Sequence, residues 1–248
     1  WGRIARTFFK MTDYTTTHFP NVTTVVSRQM QQYYQQKFKK PVLYIPNGVK
    51  KFQKVKPQKL LDYGLKGNDY IFFAARLVPE KGCHYLIEAY KSLGEVSKKL
   101  VIAGDGSYGD AYAEKLKQLA GENIVFTGFV KGPLLQELLS NAYVYVLPSE
   151  IEGLSTGLLE AMSYGNCVLV SDIPENLEVI GNNGCAFRNK NIPDLAEKLS
   201  LLLTDENLVK RYRSKAAQTT GSQYSWDHVT DQYEILYRTL IGKRLTVG

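Results

Sequence analysis

The chain has 248 residues, 44% of them hydrophobic and 22% charged, with a formal net charge of +7. Those are the values of a globular protein, long enough for one large domain or two modest ones. No stretch approaches the ~18 uninterrupted apolar residues of a membrane-spanning helix. The opening residues, WGRIARTFFKMTDY, lack the apolar core and small-residue cleavage site of a signal peptide; they read as the continuation of something longer. Cys83, Cys167 and Cys185 are widely spaced and never form a C-x-x-C pair. That pattern suits reduced thiols in a cytosolic protein and argues against a disulfide framework or a structural zinc site. His18, His84 and His228 are scattered without metal-ligand spacing, so no metal site is expected.

In chain order, short β-branched or aromatic runs alternate with amphipathic segments. The strand candidates are VTTVV (22–26), VLYI (42–45), YIFFAA (70–75), KLVIA (99–103), NIVFT (123–127), YVYVL (143–147), CVLVS (167–171) and CAF (185–187). Most are apolar on both faces, as strands buried in a parallel sheet should be. Helical stretches lie between them: CHYLIEAYKSL, DAYAEKLKQLA, PLLQELLSNA, TGLLEAMSY and PENLEVI. This rhythm predicts an α/β fold with a Rossmann-like, doubly wound parallel sheet. Three further helices, DLAEKLSLLLT, ENLVKRYRSKAAQTT and WDHVTDQYEILYRTLI, close the chain.

The rhythm breaks at residues 45–59, IPNGVKKFQKVKPQK, where Asn47-Gly48 predicts a tight turn with positive φ. Two strands and two helices precede that junction, too few for an independent unit. The expected organisation is residues 1–45 as the end of an N-terminal domain, 46–222 as a Rossmann-like domain and 223–248 as a final helix returning to the first domain. Charge follows the same division. Residues 1–60 carry 12 Lys/Arg against Asp13 alone, or +11; the other 19 Lys/Arg face 23 Asp/Glu, or −4. A positive field there would attract a polyanion or an anionic membrane face. No nucleic-acid-binding signature accompanies it.

Three loops carry candidate chemistry. GDGSYG (104–109) has the form G-x-G-x-x-G, but Asp105 puts negative charge where a pyrophosphate would sit, and the next strand ends in Gly128-Phe129 rather than a ribose-binding acid. ARLVPEKG (75–82) follows a buried strand, so Arg76 and Lys81 emerge at the edge where open α/β sheets bind ligands. Two such cations can neutralise a diphosphate without a metal. In SEIEGLSTGLLEAMSYG (149–165), Ser155 or Thr156 can cap a short helix that stops at Gly165. Its start would offer amides around Thr156, Gly157 and Leu158 to an anion. Glu152 precedes that helix and Glu160 lies one turn inside it. An anion site flanked by carboxylates suits a ligand with a phosphate centre and hydroxyl-rich ends, although a loop acid and a first-turn helix acid would account for both glutamates equally well.

Taken together, ARLVPEKG, IAGDG, FTGFV and LPSEIEGLSTGLLEAMSYGNCVLVSD occur in one order, and in that order the chain resembles the retaining group 1 (family 4) glycosyltransferases of GT-B fold. IPNGV resembles the family's interdomain junction, and YSWDHVTDQYEILYRTLI its last helix. The resemblance implies an enzyme that transfers a sugar from a UDP-, GDP- or ADP-linked donor, with retention, to a saccharide or glycolipid acceptor, as in polysaccharide or lipopolysaccharide synthesis. It implies that Arg76 and Lys81 grip the diphosphate and stabilise the departing nucleotide, and that Glu152 holds the donor sugar as the third catalytic residue. Glu160 would bind ribose, the amides of Thr156, Gly157 and Leu158 the diphosphate, and Gly128, Phe129 and Val130 the base, with Gly104 in the adjoining loop.

The absence of D-x-D agrees with the family's independence of a bound metal, and the nucleotide sugar is a substrate, so no cofactor is expected. The cysteine pattern leads to the expectation of a cytoplasmic location, and the positive charge before residue 60 to that of a peripheral one on the inner membrane face. Leu154-Ser155 departs from the Phe-Gly found in many members, and Glu150 is a second acid that only the E-x(7)-E spacing sets aside. Most of the family's N-terminal, acceptor-binding domain is missing from the matched region, so this half should bind nucleotide and turn over poorly by itself. A non-catalytic nucleotide-sugar-binding module, or a GT-B-like epimerase or phosphorylase, is the alternative.

Overall fold

The computed structural model describes residues 2–106 and 111–245. It divides into two compact units: Trp1–Gly48 with Trp226–Gly248, and Val49–Ser225.

The smaller unit begins with α1 (Arg3–His18), β1 (Thr23–Val25), α2 (Arg28–Phe38) and β2 (Val42–Tyr44). β1 and β2 pair in parallel, Thr23 opposite Val42. The Ser27 hydroxyl caps α2 by accepting the Met30 N–H at 3.2 Å. Asp13, the one acid among the first 60 residues, gathers Lys37 at 2.6 Å and the Tyr34 hydroxyl at 3.0 Å. The exposed side of α1 shows Phe8, Phe9 and Met11 on the same helix as Arg3, Arg6 and Lys10. Among the described residues no helix is long and apolar enough to cross a membrane.

Among the described residues the larger unit is built on a six-stranded parallel sheet flanked by seven α-helices. In chain order these are β3 (Tyr70–Ala74), α3 (Cys83–Ser92), β4 (Lys99–Ala103), α4 (Ala111–Gln118), β5 (Ile124–Gly128), α5 (Pro133–Asn141), β6 (Val144–Leu147), α6 (Thr156–Ser163), β7 (Cys167–Ser171), α7 (Pro174–Ile180), β8 (Cys185–Phe187), α8 (Ile192–Thr204) and α9 (Glu206–Gln223). The helix α10 (Trp226–Leu245) then completes the smaller unit. The strand order is β5-β4-β3-β6-β7-β8. Side chains of β6 and β7 are buried throughout, which explains their unbroken apolar runs. The chain winds outward from β3 to β5, then returns to lay β6 against the other side of β3. Loops leaving β3 and β6 therefore diverge, and a doubly wound sheet opens its ligand crevice at that reversal. All three cysteines lie buried in this unit.

Two details differ from the sequence pattern. Neither Asn47 nor Gly48 has positive φ; the glycine is needed because a Cβ there would lie 2.5 Å from the Trp226 indole. α8 starts two residues before Asp194, because the Asn191 side chain caps it by accepting the Asp194 N–H at 2.9 Å.

The segment after Val49 is strapped across α5 and α6 by their polar side chains. Ser163 donates to the Lys50 carbonyl at 2.7 Å, and Ser140 accepts the Val55 N–H at 3.0 Å. The buried Glu137 carboxylate accepts the N–H groups of Gln58, Lys59 and Leu60 at 2.8, 2.7 and 3.3 Å. These are the otherwise unpaired donors at the start of a short 3₁₀ turn, Lys59–Tyr63. Removing the carboxylate would strand all three, so Glu137→Ala is expected to cost about 3 kcal/mol in urea denaturation and Glu137→Gln distinctly less.

Candidate functional site

Two adjoining clefts open at the carboxyl ends of β3, β4 and β6, sharing Ala74, Ala75, Arg76 and Leu135 as a common wall. The larger, about 310 Å³, is lined among others by Lys81, Tyr145, Glu152, Thr156, Gly157 and Glu160. The smaller, about 220 Å³, is lined by Gly104, Asp105, Phe129 and Val130 as well as the shared wall. Most residues singled out in the sequence therefore meet here, although they come from four separate loops.

The loop after β3 is forced into this position by backbone contacts. Gly104 has φ 146°, and a Cβ on it would lie 1.9 Å from the Ala75 carbonyl oxygen; Gly82 has φ 68°, and its Cβ would lie 2.0 Å from the Pro148 carbonyl. Both are positions that only glycine occupies without displacing the neighbouring chain. With the loops so close, Lys81 Nζ reaches Glu152 Oε1 at 2.7 Å, and the two side chains retain only 19% and 8% of their exposure. The ammonium has two further N–H donors to offer a ligand while keeping this pair. Arg76 is exposed, and its guanidinium has no partner among the described residues.

Ser155 caps α6, its hydroxyl accepting the Leu158 N–H at 3.2 Å. Thr156 and Gly157, whose N–H groups belong to the same helix start and are not taken by that cap, line the cleft. Leu158 is fully buried and lines neither cleft. Gly128, at φ 68°, ends β5 and accepts the Gly104 N–H at 2.9 Å without lining either. Phe129 projects at 73% exposure, a flat apolar face at the rim of the smaller cleft. Ser107, Tyr108 and Gly109 of the glycine loop lie outside the described residues.

Glu150 and Glu152 part company in space. Glu152 lines the cleft, whereas both oxygens of Glu150 are engaged elsewhere, by the Tyr85 hydroxyl and by Lys190. The sequence reading passed over Tyr145, whose hydroxyl donates to the Ala74 carbonyl at 3.2 Å on the cleft floor. The available signal was a tyrosine inside an otherwise aliphatic strand, since a buried phenol needs a partner. Burial, with Glu152 and Glu160 nearby, raises its pKa, so it stays protonated as a donor. Leu135, Leu139 and Leu154 form an apolar side that motif reading also missed.

The family model described as Glycosyl transferases group 1 matches residues 58–219, and the chain belongs to that family. It is 34% identical over 172 residues to an uncharacterized glycosyltransferase of Methanocaldococcus jannaschii, covering 68% of this chain and 44% of that protein. The N,N'-diacetylbacillosaminyl-diphospho-undecaprenol alpha-1,3-N-acetylgalactosaminyltransferase of Campylobacter jejuni is 40% identical over 107 residues, 42% of this chain and 28% of its own. The chain thus spans under half the length of either relative. Among solved structures, Anabaena HepE in complex with UDP and glucose superposes with a TM-score of 0.85 at 20% identity, covering 94% of this chain and 67% of that one. At that identity the likeness concerns the α/β GT-B fold.

Glu160 gives this site a pH signature. Burial raises its carboxyl above the usual range. Folding therefore favours the protonated form, a contribution complete below the ordinary glutamate pKa of about 4.3 and lost as pH rises through the folded value. Glu160→Gln is expected to stabilise the chain at about pH 7 and to leave it unchanged near about pH 4, compared by urea denaturation at the two pH values.

Proposed function

We propose that this chain is the donor-binding half of a glycosyltransferase that moves a sugar from a nucleotide-sugar donor to an acceptor with retention of anomeric configuration. The observation that carries the reading is the single crevice at the β3/β6 reversal, where two cations, a helix start and two carboxylates face one space. Arg76 and Lys81 would hold the donor diphosphate, with the Thr156 and Gly157 amides completing its ligation. As the bond from sugar to phosphate breaks, negative charge grows on the departing nucleotide, and fixed donors there lower the barrier. Glu152 would accept hydrogen bonds from the sugar hydroxyls, held in place by Lys81. Glu160 would accept those of the ribose, and Phe129 and Val130 would lie against the base.

Neither glutamate has to act as a base in this scheme. With two cations at the diphosphate, binding is expected to need no divalent metal. A lipid-linked acceptor at an anionic membrane face is the acceptor class we favour. The positive charge of residues 1–60 and the diphospho-undecaprenol in the Campylobacter relative's name support it.

Calorimetry against UDP, GDP and ADP, each with and without EDTA, tests the donor reading. Arg76→Ala and Lys81→Ala should each weaken binding of the preferred diphosphate by about 1.5–3 kcal/mol, the scale of a hydrogen bond to a charged group. Glu160→Ala should weaken the ribonucleotide more than its 2′-deoxy counterpart; equal losses would remove the ribose assignment. Transfer is tested on the full-length protein that contains this chain, with the product's anomeric configuration read by NMR. Binding without transfer to any saccharide or glycolipid would leave a nucleotide-sugar-binding module instead.

A further inference from the structure

Beside the cleft, two loops and the start of α3 converge on one residue, Glu150, that the scheme above leaves idle. Glu150 Oε1 accepts from the Tyr85 hydroxyl at 2.7 Å, and Oε2 pairs with Lys190 Nζ at 2.6 Å. Its own N–H donates to the Glu80 carbonyl at 2.8 Å, and its carbonyl accepts from Asn189 Nδ2 at 3.5 Å. Backbone and side chain of this one residue therefore join the loop after β6 to the loops after β3 and β8 and to the start of α3. Lys190 makes its contact from φ 62°, a left-handed conformation uncommon for a residue with a Cβ and one that the surroundings must enforce. The neighbouring Asn189 N–H is in turn fixed by Asp172 Oδ1 at 2.8 Å. An exposed ion pair alone would count for little, but here the carboxylate is 24% exposed and has a phenol as well as an ammonium.

The sequence places this cluster one step from the proposed sugar-binding acid. The bond from Glu150 N–H to the Glu80 carbonyl and the pair Lys81–Glu152 are successive ties between the same two loops. Displacing the first would shift the second, because only Ile151 separates the two acids.

We propose that Glu150, clamped by Tyr85 and Lys190, is a positioning residue that sets the loop carrying Glu152 against the loop carrying Lys81, and so tunes binding of the sugar part of the donor. This rests on the donor-binding reading for its functional consequence and on the geometry alone for the clamp.

The test uses Glu150→Gln, Tyr85→Phe and Lys190→Met, with Lys190→Arg as the conservative control. Amide hydrogen exchange at residue 150 reads the clamp without any ligand, and calorimetry with UDP and UDP-glucose reads its effect. The three variants should exchange about tenfold faster at residue 150, the scale of one lost hydrogen bond, with a nearly unchanged thermal midpoint. UDP-glucose should weaken by a similar factor while UDP changes by less than about twofold, and Lys190→Arg should behave as the native chain. Unchanged exchange overturns the proposal, and so do equal losses for UDP and UDP-glucose or a general collapse of stability. If exchange accelerates in a chain that binds none of UDP, GDP, ADP and their glucose conjugates, the clamp stands and the donor-binding reading falls.

Discussion

One ion pair, Lys81 with Glu152, bridges the place where the strand order of the sheet reverses. The loops of β3 and β6 part there because their helices leave the sheet by different routes, and the gap between them is what a ligand can enter. A pair that has lost most of its exposure gives up hydration on both partners, and its attraction has to offset that loss. It does so in a setting already assembled by main chain: the Pro148 carbonyl against Gly82, and the Glu80 carbonyl bonded to the Glu150 amide. The wall of the cleft, the reach of Lys81 and the direction of Glu152 all follow from those contacts.

Around that pair the charges are unevenly satisfied. Glu150 is held ionised by Lys190 and Tyr85, which lower its pKa. Glu160 sits half-buried without such help, and its pKa moves the other way. Two acids of the same loop-and-helix segment thus differ because one has partners and the other faces the cleft. An ionisable group kept against its own stability is what a binding surface requires and a core does not. Tyr145, protonated beneath both cleft glutamates, supplies the floor with a donor rather than a further charge.

Legibility from sequence tracked the range of the interaction concerned. All eight strand candidates became strands, because burial on both faces writes an unbroken apolar run into local sequence. The Gly165 stop, at φ 74°, was equally local. Arg76, Lys81, Glu152 and Glu160 were found by their order and spacing, and the fold brings them to one cleft. The missed features need partners far along the chain. Glu137 finds its three amides about eighty positions away, and Gly48 is explained by the Trp226 ring rather than by a turn. Ser155 spends its hydroxyl on the Leu158 amide, which motif matching had reserved for phosphate. Only coordinates reveal such competition for a donor.

Gly82 and Gly104 each press bare backbone against a carbonyl of an adjacent loop, at opposite sides of the same strand end. A methyl group at either would act as a wedge, and the two wedges would prise apart different seams: one between the loops of β3 and β6, the other between those of β3 and β4. The aperture of the cleft is therefore set by hydrogen atoms, the smallest side chains available. Changes at its rim, such as at Phe129, can alter what is recognised without touching how wide the opening is.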